Sequence, residues 1–588
     1  MHVFLVPLLF LSVGWFAHEP VSLFSSSILF LFVLSAVLFT KKFNWRQNRI
    51  FLLALSIPVA YLFSALINGQ NITSFFLGGY QRNFGIATLI ALSLLLILGS
   101  APDINFNKYR NYGLLTTLVL ANVYGYLQYF DLDPLPWSNP FKAVSLTLGN
   151  PNFAGALFGC LSIVAIGILV STKKFWAKVL SSGLYLSSIF LAVQTKSLQA
   201  VLLIILSTLT FLFIVSIGRV ELHQKIIKYV TFSSILSSTI AIISVFGFDK
   251  LLSLKEKIFF QGSIPQRLDY WQNGIAIWKD HPIFGVGVDQ FQRYAAFYRN
   301  PTQIVRDGNF VIPDKSHNVL IDHLANGGLL AAVLWLSLVI SVFWVSFKLV
   351  QLKVDNRPTV ATLVAVWTAY VAQSLISPDQ IVLAVIGYTS GGILIGIYNK
   401  EIAKSKNLDL KQKENPFLVR AVAACLLVIS FFTFSKALIA NAHAKQMVAG
   451  NLIDKQEILN VINEWPNPKT TELIGIQLLK DANNCSAVVD IADKLIDIDS
   501  RNSQGWFMKA VCANFEKDFT SAISHVDNSL KYDPLNPYYL VSKAKLELAA
   551  NRIDSAEITI AKAKSVNINE RDVRSVETSI LSLKNKPK

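Results

Sequence analysis

Leu198 to Ile217 reads LQAVLLIILSTLTFLFIVSI, a stretch without a single charge. Wound as an α-helix at about 1.5 Å per residue, it is about 30 Å long, the thickness of a bilayer's hydrocarbon core. Backbone amides inside lipid find no water, so a run of this kind crosses as a helix. Outward from it, similar runs occupy 3–17, 21–40, 51–67, 85–101, 113–129, 153–171, 179–194, 229–247, 326–346, 358–376, 380–398 and 417–436. The pattern predicts an all-α chain: a polytopic membrane bundle of about thirteen spans, followed by a soluble helical domain. The first run lacks a basic leader and a small-residue cleavage site, so it reads as a span and not a removable signal.

Charge between the runs sets the orientation. Lys41, Lys42, Arg46 and Arg49 follow the second run, Lys108 and Arg110 the fourth, and Lys173, Lys174 and Lys178 the sixth. Arg219, Lys225 and Lys228 follow the eighth, Lys348, Lys353 and Arg357 the tenth, and Lys400, Lys404, Lys406, Lys411 and Lys413 the twelfth. The short loops between these basic ones hold Arg82, Lys142 and Lys196. Basic loops stay cytoplasmic, which predicts an inner-membrane-type protein with its N-terminus inside. The segment 248–325 and everything after 437 then lie outside. The expected domains are 1–437, within the membrane and including that loop, and 438–588, an extracytoplasmic tail.

The net charge of +16 is accounted for by these flanks. No basic stripe with interleaved aromatics is present, so nucleic acid is not an expected partner. Only 15% of the chain is charged, against about a quarter in soluble domains. Cys160 and Cys425 fall in apolar runs, whereas Cys485 and Cys512 lie in the tail, where a disulfide is one of two open readings. No Cys/His metal spacing occurs.

The tail repeats with a period of 34. Asn502–Ala510 reads NSQGWFMKA and Asn536–Ala544 reads NPYYLVSKA; Ser521-Ala522 recurs as Ser555-Ala556, and Asp499 as Asp533. This resembles tetratricopeptide (TPR) repeats, paired helices that often read peptides or partner proteins. The alternative is a stack that only packs on the membrane domain.

The loop before the tenth run carries QRLDYWQNGIAIWKDHPIFGVGVDQF and KSHNVLIDHLANGGLLAAVLW. Arg267, Trp271, Ile275 and Trp278 share one helical face, suited to the membrane surface or the span bundle. Pro282 and Gly285-x-Gly287 break that helix, and His317 and Asn318 stand at the mouth of the next span. Residues 325–328 supply small side chains for a close helix approach. A histidine there caps or satisfies a neighbour, or accepts a proton. His281 reads as a turn residue and His323 as structural, while Asp269 and Asp280 would hold Arg267 or cap helices.

The combination R-x3-W, DHPIFGVG-x3-F and SHN before a Gly-Gly span resembles the O-antigen ligase and polymerase superfamily. That superfamily includes lipopolysaccharide O-antigen ligases, O-antigen polymerases and bacterial protein O-oligosaccharyltransferases. LTLGNPNFAGALF (146–158) and GGYQRNFG (78–85) resemble its outward turn and its early arginine motif. The resemblance covers most of 50–400. It implies glycan transfer from a polyprenyl diphosphate carrier to a glycan, lipid or protein acceptor on the outer face, with no nucleotide, cofactor or obligatory metal.

Such chemistry calls for cations on the diphosphate and a base for the acceptor hydroxyl. By resemblance, Arg267 and His317 are the catalytic candidates, and Arg82, Lys196, Gln199, Asn318 and Trp271 the substrate-binding ones. In one place the chain departs from the family. A turn often written Ser-Arg-Gly reads TKSLQA (195–200), with Leu198 in the arginine's place. Lys196 or Gln199 is left to serve there, and Lys142 matches no motif. The runner-up classes are a flippase for lipid-linked sugars and a non-catalytic anchor displaying the tail. The first would show ionisable groups within the spans, which are nearly free of charge. The second leaves the outward arginines and the HN pair unexplained.

Overall fold

The structure is a computed structural model that describes residues 5–15, 21–39, 49–79, 82–101, 108–134, 142–216, 263–352, 354, 356–406, 416–450, 460, 475–476, 478–479 and 484–585. Those residues form helices and loops without a strand. The first part holds α1 (Leu5–Trp15), α2 (Val21–Phe39), α3 (Arg49–Ile67), the short α4 (Ile72–Leu77), α5 (Ile86–Gly99), α6 (Thr116–Tyr129, entered through a π-helical turn), α7 (Pro151–Ser171), α8 (Phe175–Gln194) and α9 (Leu198–Ser216). The loop contributes α10 (Ser263–Asp280), α11 (Phe291–Tyr298) and α12 (Pro301–Asp307). The bundle then resumes with α13 (Val319–Gln351), α14 (Arg357–Ser374), α15 (Ile381–Ser405) and α16 (Phe417–Gly450). Each predicted span that falls on described residues is occupied by a helix; the span at 229–247 lies outside them.

Seven of these helices (α3, α7, α8, α9, α13, α15 and α16) are long and apolar enough to cross a membrane. α7 and α15 are the inner ones, each 83% buried along its apolar window, whereas α16 is 17% buried and lines the outside. Sequence explains the central place of α7. A side chain at Gly155 would sit 2.6 Å from Cβ of Ala200, and one at Gly159 2.5 Å from Cβ of Leu203. The bare backbone lets α9 approach closely, as small residues do between membrane helices.

α13 departs from the span expected at 326–346. It starts at Val319, at the foot of the loop, and is interrupted at Gly328 (φ 67°, ψ −168°). The break frees backbone groups that cannot stay unpaired in an apolar setting. The Pro282–Gly287 turn fills it. The Leu329 amide donates to the Pro282 carbonyl (2.9 Å), and the Val286 and Gly287 amides donate to Ala325 O (3.0 Å) and Asn326 O (2.9 Å). A Cβ on Gly328 would overlap the Ile283 carbonyl. α3 closes the other side: Ser64 Oγ donates to Asn326 O (3.0 Å) and Asn68 Nδ2 to Gly285 O (3.0 Å).

The tail comprises α17 (Cys485–Ile498), α18 (Ser503–Phe515), α19 (Phe519–Tyr532), α20 (Pro537–Ala549), α21 (Ile553–Val566) and α22 (Val573–Lys584). α17, α19 and α21 start 34 residues apart, as do α18 and α20. The sequence period is therefore a structural one. Cys485 and Cys512 form a disulfide across α17 and α18, with Cα atoms 5.3 Å apart.

Gly328→Ala is expected to destabilise the protein by about 2–4 kcal/mol, because the left-handed φ and the docked turn both exclude a Cβ. The unfolding midpoint of the detergent-solubilised protein checks this; an unchanged midpoint contradicts it.

Candidate functional site

The loop, the α4–α5 turn and the mouth of α13 meet at one place. The α4–α5 connection spans 78–85, and at its two ends Gly78 (φ 86°) and Gly85 touch backbone to backbone. Its amides at Gly79 and Phe84 both donate to Asp289 Oδ2, at 2.7 and 3.1 Å. The other carboxylate oxygen of Asp289 pairs with Lys315. Next to it, Arg82 Nε pairs with Asp314 at 2.5 Å while its guanidinium stands 5.5 Å above the Phe153 ring. The segment Asp314-Lys315-Ser316-His317 is thus clamped to the early arginine motif by one ion pair directly and by a second through Asp289.

His317 adopts a left-handed backbone (φ 60°), a conformation costly for a residue with a Cβ. Its ring rests 5.2 Å from that of Tyr270, and the Trp271 indole N–H donates to its carbonyl at 3.4 Å. Nδ1 faces the Lys315 carbonyl at 3.2 Å. A carbonyl only accepts, so Nδ1 carries the proton and Nε2 keeps a lone pair. Burial pushes the His317 imidazole down to about 4; Asp314 opposes the shift, and Arg82 and Arg267 assist it. At neutral pH the ring is therefore uncharged and able to accept a proton.

Arg267 lies one turn before Tyr270 on the same face of α10. Burial lowers its pKa from the usual value, and among the described residues no carboxylate pairs with it. Asp269, one of the expected holders, is taken by Arg306 Nη1 (2.8 Å) and Asn300 Nδ2 (2.7 Å); Asp280, the other, accepts from the Tyr298 hydroxyl (2.5 Å). A half-buried guanidinium left without a carboxylate among the described residues keeps its capacity to bind an anion.

Asn318 caps α13 by accepting from the Ile321 amide (3.2 Å) and donates to Leu375 O (2.8 Å). It fixes the backbone that follows His317. Lys196 stands at the α8–α9 turn, where its ammonium donates to Lys142 O at 2.8 Å. Gln199, buried beside it, has no partner for either side-chain amide atom among the described residues. This turn joins the main cluster through α7: Ser197 Oγ donates to Asn152 Oδ1 (2.7 Å), and the neighbouring Phe153 lies under Arg82. Arg82, Arg267, Trp271, His317 and Asn318 thus converge, with Lys196 and Gln199 one packing layer away.

Asp289, Asp314 and Lys315 were not picked out from the sequence, although the charged pair directly before SHN was visible. Behind them is a cavity of about 40 Å³ lined by Tyr61, Asp289, Lys315, Asp322, His323 and Asp379, with room for two or three waters. Burial raises the Asp379 carboxyl to about 7. His323 is structural, its Nδ1 2.8 Å from the Tyr61 hydroxyl and its ring 5.4 Å from that of Trp335. His281 packs its ring 5.5 Å from that of Tyr294, in keeping with a turn residue. Among the described residues no cluster of His, Cys, Asp and Glu suits a metal ion.

Bundle and site together define a multi-pass membrane protein with a histidine and cationic side chains gathered at the helix ends. Residues 182–336 match the O-antigen ligase family model, and the chain carries that domain of the O-antigen ligase superfamily. The match runs from α8 into α13 and takes in Lys196, Gln199, Arg267, Trp271, His317 and Asn318, with Arg82 outside it. No curated protein matches the chain. The match supports a membrane function of the glycosyltransferase type.

His317 is expected to titrate with a midpoint near 4 in the free protein, against about 6.5 for an unperturbed imidazole. NMR of ring-labelled histidine, assigned by comparison with His317→Gln, reads this directly. A midpoint between 6 and 7 would show that the ring is solvated and contradict the site described.

Proposed function

We propose that the protein moves a glycan from a polyprenyl diphosphate carrier to the hydroxyl of a glycan, lipid or protein acceptor on the extracytoplasmic face of the membrane. The observation that carries this reading is the juxtaposition of His317, whose Nδ1 faces the Lys315 carbonyl so that Nε2 keeps its lone pair, with Arg267, a cation that pairs with no carboxylate among the described residues.

His317 Nε2 takes the proton of the acceptor hydroxyl as its oxygen bonds to the anomeric carbon. The bond from that carbon to the diphosphate oxygen breaks, and polyprenyl diphosphate leaves with the electron pair. Negative charge builds on the departing oxygen, and a guanidinium already in place stabilises it without reorganisation. Arg267 fills that role, and Arg82 adds a second positive field while Asp314 holds it in position. Trp271 braces the His317 backbone and offers its ring face as a wall for sugar. Asn318, by capping α13, holds His317 at the mouth of that helix. Gln199, whose buried amide N and O find no partner among the described residues, suits hydrogen bonds to the glycan or diphosphate, and Lys196 extends the positive potential along the α8–α9 turn. The exposed apolar flank of α13 (Leu329, Val333, Leu336, Ile340) leads away from the site and fits the polyprenyl chain. The carrier is its own activated donor, so the reaction needs neither nucleotide nor metal. The loop and the tail face the compartment where the acceptor arrives.

His317→Ala and Arg267→Ala are each expected to lower transfer by about 10²–10⁴-fold while leaving expression intact. The assay follows transfer from a polyprenyl-diphosphate-linked glycan by the reconstituted protein. Transfer by His317→Ala at the wild-type rate would remove the base from this account.

A further inference from the structure

The tail grips the catalytic loop at a periodic set of points. Asp499 and Asp533 occupy equivalent turns of successive units, 34 residues apart. Each holds one arginine of the loop: Arg293 Nη2 meets Asp499 Oδ1 at 2.5 Å, and Arg299 Nη2 meets both oxygens of Asp533, at 2.8 and 2.7 Å. At the next turn, Glu570 accepts from Asn309 Nδ2 at 2.9 Å. Apolar contact accompanies the charges. Ile304 of α12 is buried in the same cluster as Leu540, Val541 and Ile560 of the tail. Phe310 stacks edge-on to Tyr538, centroids 5.4 Å apart, and the Arg501 guanidinium lies 4.0 Å over the Tyr294 ring.

The Arg299–Asp533 pair is the centre of this contact. Both side chains are essentially sealed from solvent, at 0% and 2% exposure. The other arm of the guanidinium, Nη1, donates to the carbonyls of Asn309 (2.9 Å) and Val311 (3.3 Å), the chain leaving α12. Arg299 therefore ties the end of α12 to the tail. α12 in turn holds α10: Asp307 Oδ2 accepts from the Tyr270 hydroxyl (3.2 Å), Arg306 pairs with Asp269, and Gln303 Oε1 accepts from Asn273 Nδ2 (3.0 Å). Tyr270 and Trp271 then bear on His317.

We propose that the tail is a positioning element of the catalytic site, with Asp533 and Arg299 as positioning residues that set His317 and Arg267 through α12 and α10. The turn edge of the stack is committed to the protein's own loop. A buried, bidentate arginine pair suits such a role, because its geometry is fixed and loss of one partner strands the other charge. The kinetic consequence rests on the transferase reading; the contact itself does not.

Two measurements on full-length protein separate these claims. In Asp533→Asn, hydrogen exchange over 291–311 is expected to rise at least tenfold while 537–566 stays protected. The kcat for transfer from a polyprenyl-diphosphate-linked glycan is expected to fall at least tenfold with KM for the donor changed less than threefold, and Asp533→Glu is expected to recover part of it. Unchanged exchange in 291–311 would overturn the contact. Raised exchange with wild-type kcat would overturn the positioning role while leaving the transferase reading intact. No transfer by the wild-type protein would count against the transferase reading, and the exchange result would still decide the contact. If Asp533→Asn also loosens 537–566, Arg293→Gln, at the half-exposed pair, decides in its place, with smaller changes of the same sign expected and unchanged exchange and kcat counting against the proposal.

Discussion

The break of α13 at Gly328 is the constraint on which the rest of the structure depends. A helix interrupted among apolar neighbours leaves amides and carbonyls that must be paired. The Pro282–Gly287 turn supplies those partners, so the loop is bound to the bundle through backbone hydrogen bonds and not only through side chains. This seats Asp289 next to the α4–α5 turn and Lys315, and it fixes where α10 ends. Gly285 and Gly287 serve the same purpose, since each takes a positive φ and packs where a Cβ would meet Asn326 or Gln70. The glycines of this motif thus answer to backbone contact, and the proposed chemistry falls to the charged and aromatic residues around them.

The charges of the site fall into two groups. Arg82 and Lys315 are buried with carboxylates of their own, which balances the cost of removing them from water and fixes their position. Arg267 has no such partner among the described residues, and burial lowers the pKa of His317. One group holds the frame and the other is left with capacity to react. An incoming diphosphate would compensate the charge of Arg267, so donor binding and completion of the electrostatic balance are the same event.

Much of this was legible in the sequence because its signals are local. Uncharged runs and basic loops marked the spans, and the 34-residue period marked the hairpins of the tail. The short motifs around Arg82, Arg267 and His317 pointed to residues that the fold does bring together. What the sequence did not reveal depends on distant partners. Nothing near Gly328 announces that residues 282–287 will enter a helix break, and the apolar run alone placed the start of α13 too late. Asp269 looked like a holder for Arg267 from its spacing, yet Arg306, 37 positions on, takes it. The contact between Arg299 and Asp533 joins residues 234 apart, and its one sequence trace is the recurrence of aspartate at 499 and 533. That recurrence falls at the turns between units, and the same turns form the docking surface.

The central claim is that the site around His317 and Arg267 breaks the bond between a sugar and a polyprenyl diphosphate and passes the sugar to a hydroxyl. Phosphorus NMR of the reconstituted protein with a prenyl-diphosphate-linked sugar and an acceptor alcohol tests it most directly. The account predicts that the diphosphodiester signals give way to those of free prenyl diphosphate, with no orthophosphate and no prenyl monophosphate. Signals that persist unchanged, or phosphate released by cleavage within the diphosphate, would contradict it.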